Sequence, residues 1–274
     1  SLYNSLGSRT GVTPEQLILL HCAGSVVEEY AENLNTKHSM GLNPLGGACE
    51  EEKLISTYEF LASQWITLRR NIKDRHTNEK LGVEDERYPG ELACIDDASN
   101  VIIDMLSSGT AIDGVYNSEE MSNARIHLGR KTRLLQEALL DLGLLVDRLG
   151  IENRGINARE LKISDSDKHL VTSIVRMIGN VCFRCKENQD MVRCQNIPVP
   201  RVNVPHVEEY SPQLSRNIDE DQNVRNGLHV LLSCTSFAYG CFTLREWAII
   251  AIHNILEGND ENQKVVEELE AQQA

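Results

Sequence analysis

Two stretches of the chain repeat one another without a gap. Leu170–Val192 reads LVTSIVRMIGNVCFRCKENQDMV and Leu244–Val266 reads LREWAIIAIHNILEGNDENQKVV, at a constant offset of 74 residues (180 to 254). Leu170/Leu244, Ile178/Ile252, Asn180/Asn254, Glu187/Glu261, Asn188/Asn262, Gln189/Gln263 and Val192/Val266 are identical. Each copy is an apolar helix with one Asn near its end, a short turn and the start of a second helix. Such a unit has an apolar face that it cannot bury alone, so its repetition predicts stacking. The expected fold is all-α: an armadillo/HEAT-like right-handed helical solenoid.

A spacing of 74 exceeds the roughly 40–47 residues of one armadillo or HEAT unit. The excess lies in Cys194–Asn226, which holds four of the seven prolines (Pro198, Pro200, Pro205 and Pro212) and the acidic run Asp219-Glu220-Asp221. Proline lacks a donor and fixes φ, so this stretch reads as an extended loop outside the repeat core. The chain divides into N-terminal helical repeats over 1–155 and a C-terminal pair over 156–274, with the inserted loop at about 194–226. A fainter third copy is expected at Phe60–Leu81, where Trp65 and Asn71 correspond to Trp247 and Asn254.

Upstream, Thr13-Pro14-Glu15-Gln16 opens a helix with a capping box and Pro in the first turn. It is expected to reach about Leu34, with loops at Met40–Ala48 and Ser107–Asn117 and helices at Glu51–Ile72, Leu92–Leu106, Glu120–Leu128 and Thr132–Leu149. In the last of these, Leu135, Leu139, Leu142, Leu145, Val146 and Leu149 form an apolar stripe. His76–Gly90 reads as a charged stretch ending in a turn. Thr243 is expected to cap the last long helix and Asp260 the helix after it. No run of strand alternation stands out.

The segments Ile174–Val192 and Phe242–Val266, with Gly227–Leu232 leading into the second, resemble the ataxin-10 family. The likeness covers about 100 residues at the C-terminal end and is interrupted by 194–226, where the chain departs from the family pattern. The resemblance implies an armadillo-like cytoplasmic scaffold without catalytic activity. It further implies links to neuronal survival, neurite outgrowth and cell division, and a C-terminal domain tied to self-association.

A net charge of −14 argues against nucleic acid, which needs a cationic footprint. No stretch reaches the roughly 18 apolar residues of a membrane span, and Ser1–Thr10 has no secretory apolar run. The expected partners are therefore other proteins, with neither nucleic acid nor membrane insertion; the family resemblance adds further copies of this chain to them. The acidic outer face expected on Asp260–Ala271 would repel its like, which directs a homodimer to the sides of the last two repeats. Eight cysteines in a long helical chain fit a reducing compartment better than a disulfide framework. Cys22, Cys182 and Cys234 are expected to be buried thiols.

Cys182-Phe183-Arg184-Cys185 has CxxC spacing and, on one helix, would put both thiols on one face, the geometry of a zinc or redox site. A zinc site wants four ligands, and no second CxxC or HxxxH exists, so core packing is the favoured reading. Asn180 and Asn254 would either tie down neighbouring loops or form a ladder that grips an extended peptide, as in a cargo adaptor. Arg69, Arg70, Lys73 and Arg75, with Arg125, Arg130, Lys131 and Arg133, are basic clusters that would suit an acidic partner. Trp247 completes the candidate partner-binding set with Asn180, Asn254, Arg69, Arg70 and Lys73. Gly41–Gly47 lacks the Lys-Ser/Thr of a phosphate loop. No catalytic residue, cofactor or metal is expected.

Overall fold

The computed structural model describes residues 12–39, 48–80, 89–115, 125–149, 164–198, 224–235 and 241–271. Helix α1 (Pro14–Ser39) opens as its sequence dictates: the Thr13 amide donates to Gln16 Oε1 at 2.9 Å and the Gln16 amide to Thr13 Oγ1 at 3.3 Å. Helices α2 (Ala48–Lys80) and α3 (Pro89–Val115) follow. A π-helical turn (His127–Lys131) leads into α4 (Leu134–Arg148), then α5 (Asp165–Cys182) and the short α6 (Lys186–Cys194). Strand β1 (Asn196–Pro198) pairs antiparallel with β2 (Val224–Asn226), with Ile197 opposite Arg225. The chain continues through α7 (Gly227–Thr235), α8 (Phe242–Leu256) and α9 (Asp260–Ala271).

These helices stack as a solenoid. One ladder runs α1, α3, α5, α8, each packed on the last; α2, α4 and α7 back it. The apolar stripe expected on α4 is buried at Leu135, Leu139, Leu142, Leu145 and Val146, and half-buried at Leu149. One apolar core runs through both halves of the chain, from Val12 to Ile255. The division at 155/156 falls outside the described residues, as do Met40–Gly47 and the start of the helix expected at Glu120–Leu128.

Several local expectations are corrected. Helix α3 does not stop at Ser107 but runs to Val115, because its small polar residues bond within the helix: Thr110 Oγ1 donates to the Leu106 carbonyl at 2.7 Å and Ser107 Oγ to that of Asp104 at 3.0 Å. The charged run after His76 stays helical to Lys80. Phe60–Leu81 is not a helix–turn–helix copy, since α2 passes unbroken through Asn71; the third member of the α5/α8 ladder is α3. Phe242 already belongs to α8, so Thr243 is no cap, and Asn259 rather than Asp260 caps α9, its Oδ1 accepting from the Asn262 amide at 3.2 Å. Cys22 is exposed, because it lies on the outer side of α1.

The inserted loop is anchored rather than separate. Ile197 is buried against α4, where a Cβ on Gly143 would overlap its methyl. Arg225, also buried, donates from Nη2 to the Gly143 carbonyl at 3.0 Å and to Asp147 Oδ1 at 2.7 Å. A short β-ribbon thus pins both ends of the excursion to the core; residues 199–223 lie outside the described residues.

Candidate functional site

The repeated asparagines and glutamines prove to be the joints of the stack. Asn180 on α5 donates from Nδ2 to the Ser107 carbonyl of α3 at 2.9 Å, and Asn254 on α8 donates to the Gly179 carbonyl of α5 at 3.1 Å. Each copy therefore binds the previous ladder helix at the equivalent place. A buried amide must find partners, and here it finds backbone acceptors on a neighbouring unit.

A second tier lies in the short helices. Asn188, fully buried, donates to the carbonyls of Arg125 and Val181, both at 2.9 Å. Its image Asn262 donates to those of Gln189 at 3.1 Å and Ile255 at 3.2 Å. Gln189 bonds the carbonyls of Cys182, Asn254 and Glu257, and Gln263 that of Leu256. Asn188 and Asn262 thus make the same bond seven residues back, closing the end of the preceding helix, and a further bond to another segment. Polar residues that open a helix ordinarily cap its own backbone donors; here the signal for a different role was the pair Asn-Gln recurring at the same offset.

The basic residues of α2 are engaged inside the chain. Arg69 Nε lies 2.6 Å from Asp141 on α4, with both side chains buried, and Lys73 lies 3.4 Å from the same carboxylate. Arg70 pairs with Glu137 at 2.5 Å and Arg75 with Asp96 at 3.1 Å. Arg125 is buried, donating to the Phe183 carbonyl at 3.0 Å, while Arg130, Lys131 and Arg133 are exposed. The first cluster therefore braces α2 against α3 and α4.

The two CxxC thiols do not share a helix. Helix α5 ends at Cys182, Phe183 and Arg184 form the turn, and Cys185 occupies the N-cap of α6. Both are buried; burial pushes the Cys182 thiol well up, and burial likewise raises Cys185. Such thiols are poor nucleophiles and poor ligands at neutral pH. No group of three or more His, Cys, Asp or Glu residues placed to hold a metal occurs among the described residues.

Two features remain on the surface of the C-terminal units. Trp247 is half-buried with the Arg176 guanidinium 5.0 Å from its ring centre, joining α5 to α8. Beside it, Ile249 and Ile250 on α8 are exposed at 50% and 43%. The candidate residues thus separate: Asn180, Asn254 and Trp247 lie at the α3/α5/α8 joints, and Arg69, Arg70 and Lys73 at the α2/α4 contact.

Comparison with known proteins bears on this same end of the chain. A family model described as "Spinocerebellar ataxia type 10 protein domain", whose short name denotes homo-association, matches residues 214–274. Ataxin-10 of Macaca fascicularis is 24% identical over 177 residues, covering 62% of this chain and 29% of that protein. The ataxin-10 proteins of Pongo abelii and Homo sapiens are each 25% identical over 144 residues, covering 50% of this chain and 24% of theirs. The chain thus spans between 24% and 29% of the length of these relatives. No solved structure matches. The ataxin-10 resemblance carried by 174–192 and 242–266 is thereby supported. No helix among the described residues is long and apolar enough to cross a membrane.

Proposed function

We propose that this chain, which carries an ataxin-10-type domain at its C-terminal end, is a non-enzymatic armadillo-repeat scaffold that binds other proteins and further copies of itself. The observation that carries the reading is the two-tier set of amide bonds joining α3, α5 and α8, which fixes successive units into one continuous surface. Solenoids offer such surfaces to partners. The reading of self-association draws on the family model matched by 214–274. The roles in neuronal survival, neurite outgrowth and cell division, and the cytoplasmic location, extend the family resemblance to this chain.

The peptide-clamp alternative asks the same asparagines to serve an extended ligand. Asn180 and Asn254 each already give an amide hydrogen to a neighbouring helix, which favours the scaffold reading. Trp247, backed by Arg176, is the aromatic anchor we assign to partner binding, since half-buried Trp and Arg dominate interface energetics. Sedimentation equilibrium of the 274-residue chain across the micromolar range tests self-association: a reversible rise in mass is expected, and a strict monomer throughout refutes it. Capture of cellular partners by the immobilised chain should fall with Trp247→Ala; equal capture by that variant removes Trp247 from the surface.

A further inference from the structure

Arg130, Lys131 and Arg133 are three bases in one short stretch of chain, and all are exposed. The protein holds 41 Asp and Glu against 27 Lys and Arg, so a base in it finds a carboxylate more readily than the reverse. The bases nearby have done so. Arg69 and Lys73 share Asp141, Arg70 takes Glu137, Arg75 takes Asp96 and Arg148 takes Asp167. Arg130, Lys131 and Arg133 have no ion pair among the described residues. Glu137, one turn along α4, is held by Arg70, and Arg133 Nε donates to the neutral Gln136 Oε1 at 3.2 Å.

Local stability accounts for two of the three bases but not the third. Arg130 and Lys131 lie in the last turn of the π-helical segment, where the helix dipole favours cations. Arg133 is the N-cap of α4, where the dipole disfavours a cation and where Ser, Thr, Asn and Asp are the preferred residues. It also holds φ 61°, a left-handed conformation uncommon for a residue with a side chain. That conformation makes the corner between the π-helical turn and α4. Consecutive Cα atoms are about 3.8 Å apart, so the three bases crowd within about 11 Å at this corner.

We propose that the corner is a docking site for an acidic segment of another protein, a short run of Asp and Glu side chains; this rests on the scaffold reading above and needs neither self-association nor Trp247.

The geometry and the charge of the chain select that partner among anions. Bases strung along the backbone match a string of single carboxylates. A phosphate instead wants donors that converge, often the free amides of a helix N-terminus, and here the Leu134 amide is already bound by Thr132 Oγ1 at 3.2 Å. A nucleic acid or an anionic membrane extends far beyond the corner and meets the repulsive field of a chain with net charge −14. A short acidic segment feels mainly the corner, since charges beyond about 8 Å are screened at physiological salt. Exposed ion pairs each contribute little. The contact is therefore weak and salt-sensitive, and it steers and orients a partner that other parts of the surface hold.

The test is fluorescence anisotropy of a labelled peptide bearing a run of about six Glu residues, titrated with the full chain at about 50 and 150 mM salt. Saturable binding is expected, weaker by about threefold or more at the higher salt. Arg130→Glu/Lys131→Glu should weaken it by about tenfold or more, and the milder Arg130→Gln/Lys131→Gln by about threefold. Arg245→Glu/Lys264→Glu makes the same change in net charge at two exposed bases elsewhere and should stay within about twofold of the parent. Each variant is checked for unchanged helicity and melting. No binding by the parent at the lower salt overturns the site, and so does an equal loss in the Arg130/Lys131 and Arg245/Lys264 variants. Displacement of the peptide by inorganic phosphate at matched ionic strength, or tighter binding of oligothymidine or phosphatidylserine vesicles than of the peptide, overturns the acidic protein partner. If the peptide does not bind while Trp247→Ala still lowers capture of cellular partners, the scaffold reading stands and only the corner is wrong.

Discussion

Asn188 offers the sharpest test of how the units are joined. Its amide satisfies two backbone carbonyls, Arg125 at the entry to the π-helical turn and Val181 at the end of α5, in a site with no exposure. Asn188→Ala strands both acceptors. Each buried orphan costs about 1–3 kcal/mol. The Asn188 Oδ1, itself buried and without a hydrogen-bond partner, is removed at the same time, which returns part of the loss. The expected net cost is about 2–4 kcal/mol, largely independent of pH. Asn188→Asp keeps the shape but turns a carboxylate oxygen towards two carbonyl oxygens. Burial and repulsion must raise that carboxyl above its ordinary value of about 3.9. Its folded-state pKa then exceeds its unfolded one, so the protonated form carries the stability, and this is lost as pH rises through the folded pKa. The Asp variant should be close to the parent near pH 4 and fall below the Ala variant at pH 7. Urea unfolding followed by circular dichroism at both pH values measures this. Gln263→Ala, at the exposed image of Gln189, removes one bond to Leu256 and should cost less than about 0.5 kcal/mol. An Asn188→Ala cost as small as that would refute the latch.

Ile197→Ala should destabilise by about 2–4 kcal/mol, and Arg225→Ala should destabilise measurably in the same urea experiment. Replacing 199–223 by a short Gly/Ser linker, with both strands kept, should leave the urea midpoint nearly unchanged; a large drop would place that segment in the core. Gly258 has φ +67° with open space around its Cα, so Gly258→Ala should cost about 1 kcal/mol from backbone strain alone. Arg184 holds the equivalent place at φ +50°, and Arg184→Gly should be neutral or slightly stabilising in a thermal melt. Cys182 should react with thiol reagents far more slowly than exposed Cys22 and Cys194, and elemental analysis should find no zinc that a Cys182→Ser/Cys185→Ser variant loses.

Much of the architecture was legible because its cause is periodic. The copies at 170–192 and 244–266, the stripe on α4 and the Thr13–Gln16 box each depend on spacing along one helix, and spacing is what a sequence displays. The errors fell where a neighbour decides. Ser107 looks like a loop residue until its carbonyl is seen accepting from the Asn180 side chain of α5. Pro198 marks a loop, yet the residue before it is a core residue, because Gly143 leaves a notch for Ile197. The Arg69 cluster reads as an exposed basic patch until Asp141, 72 residues away, is found beneath it.

The sequence by itself determined that this chain is a helical solenoid, that two of its units are copies, and that its C-terminal end resembles ataxin-10. Only the tertiary structure decided that α3 is the third member of the ladder and that Asn180, Asn188, Asn254 and Asn262 are joints. The physical reason is the range of the forces involved. Helix formation and amphipathicity are local and leave a period in the chain, whereas an amide reaching a carbonyl 73 residues away, as Asn180 does with Ser107, recurs with the repeat without naming its acceptor in the sequence.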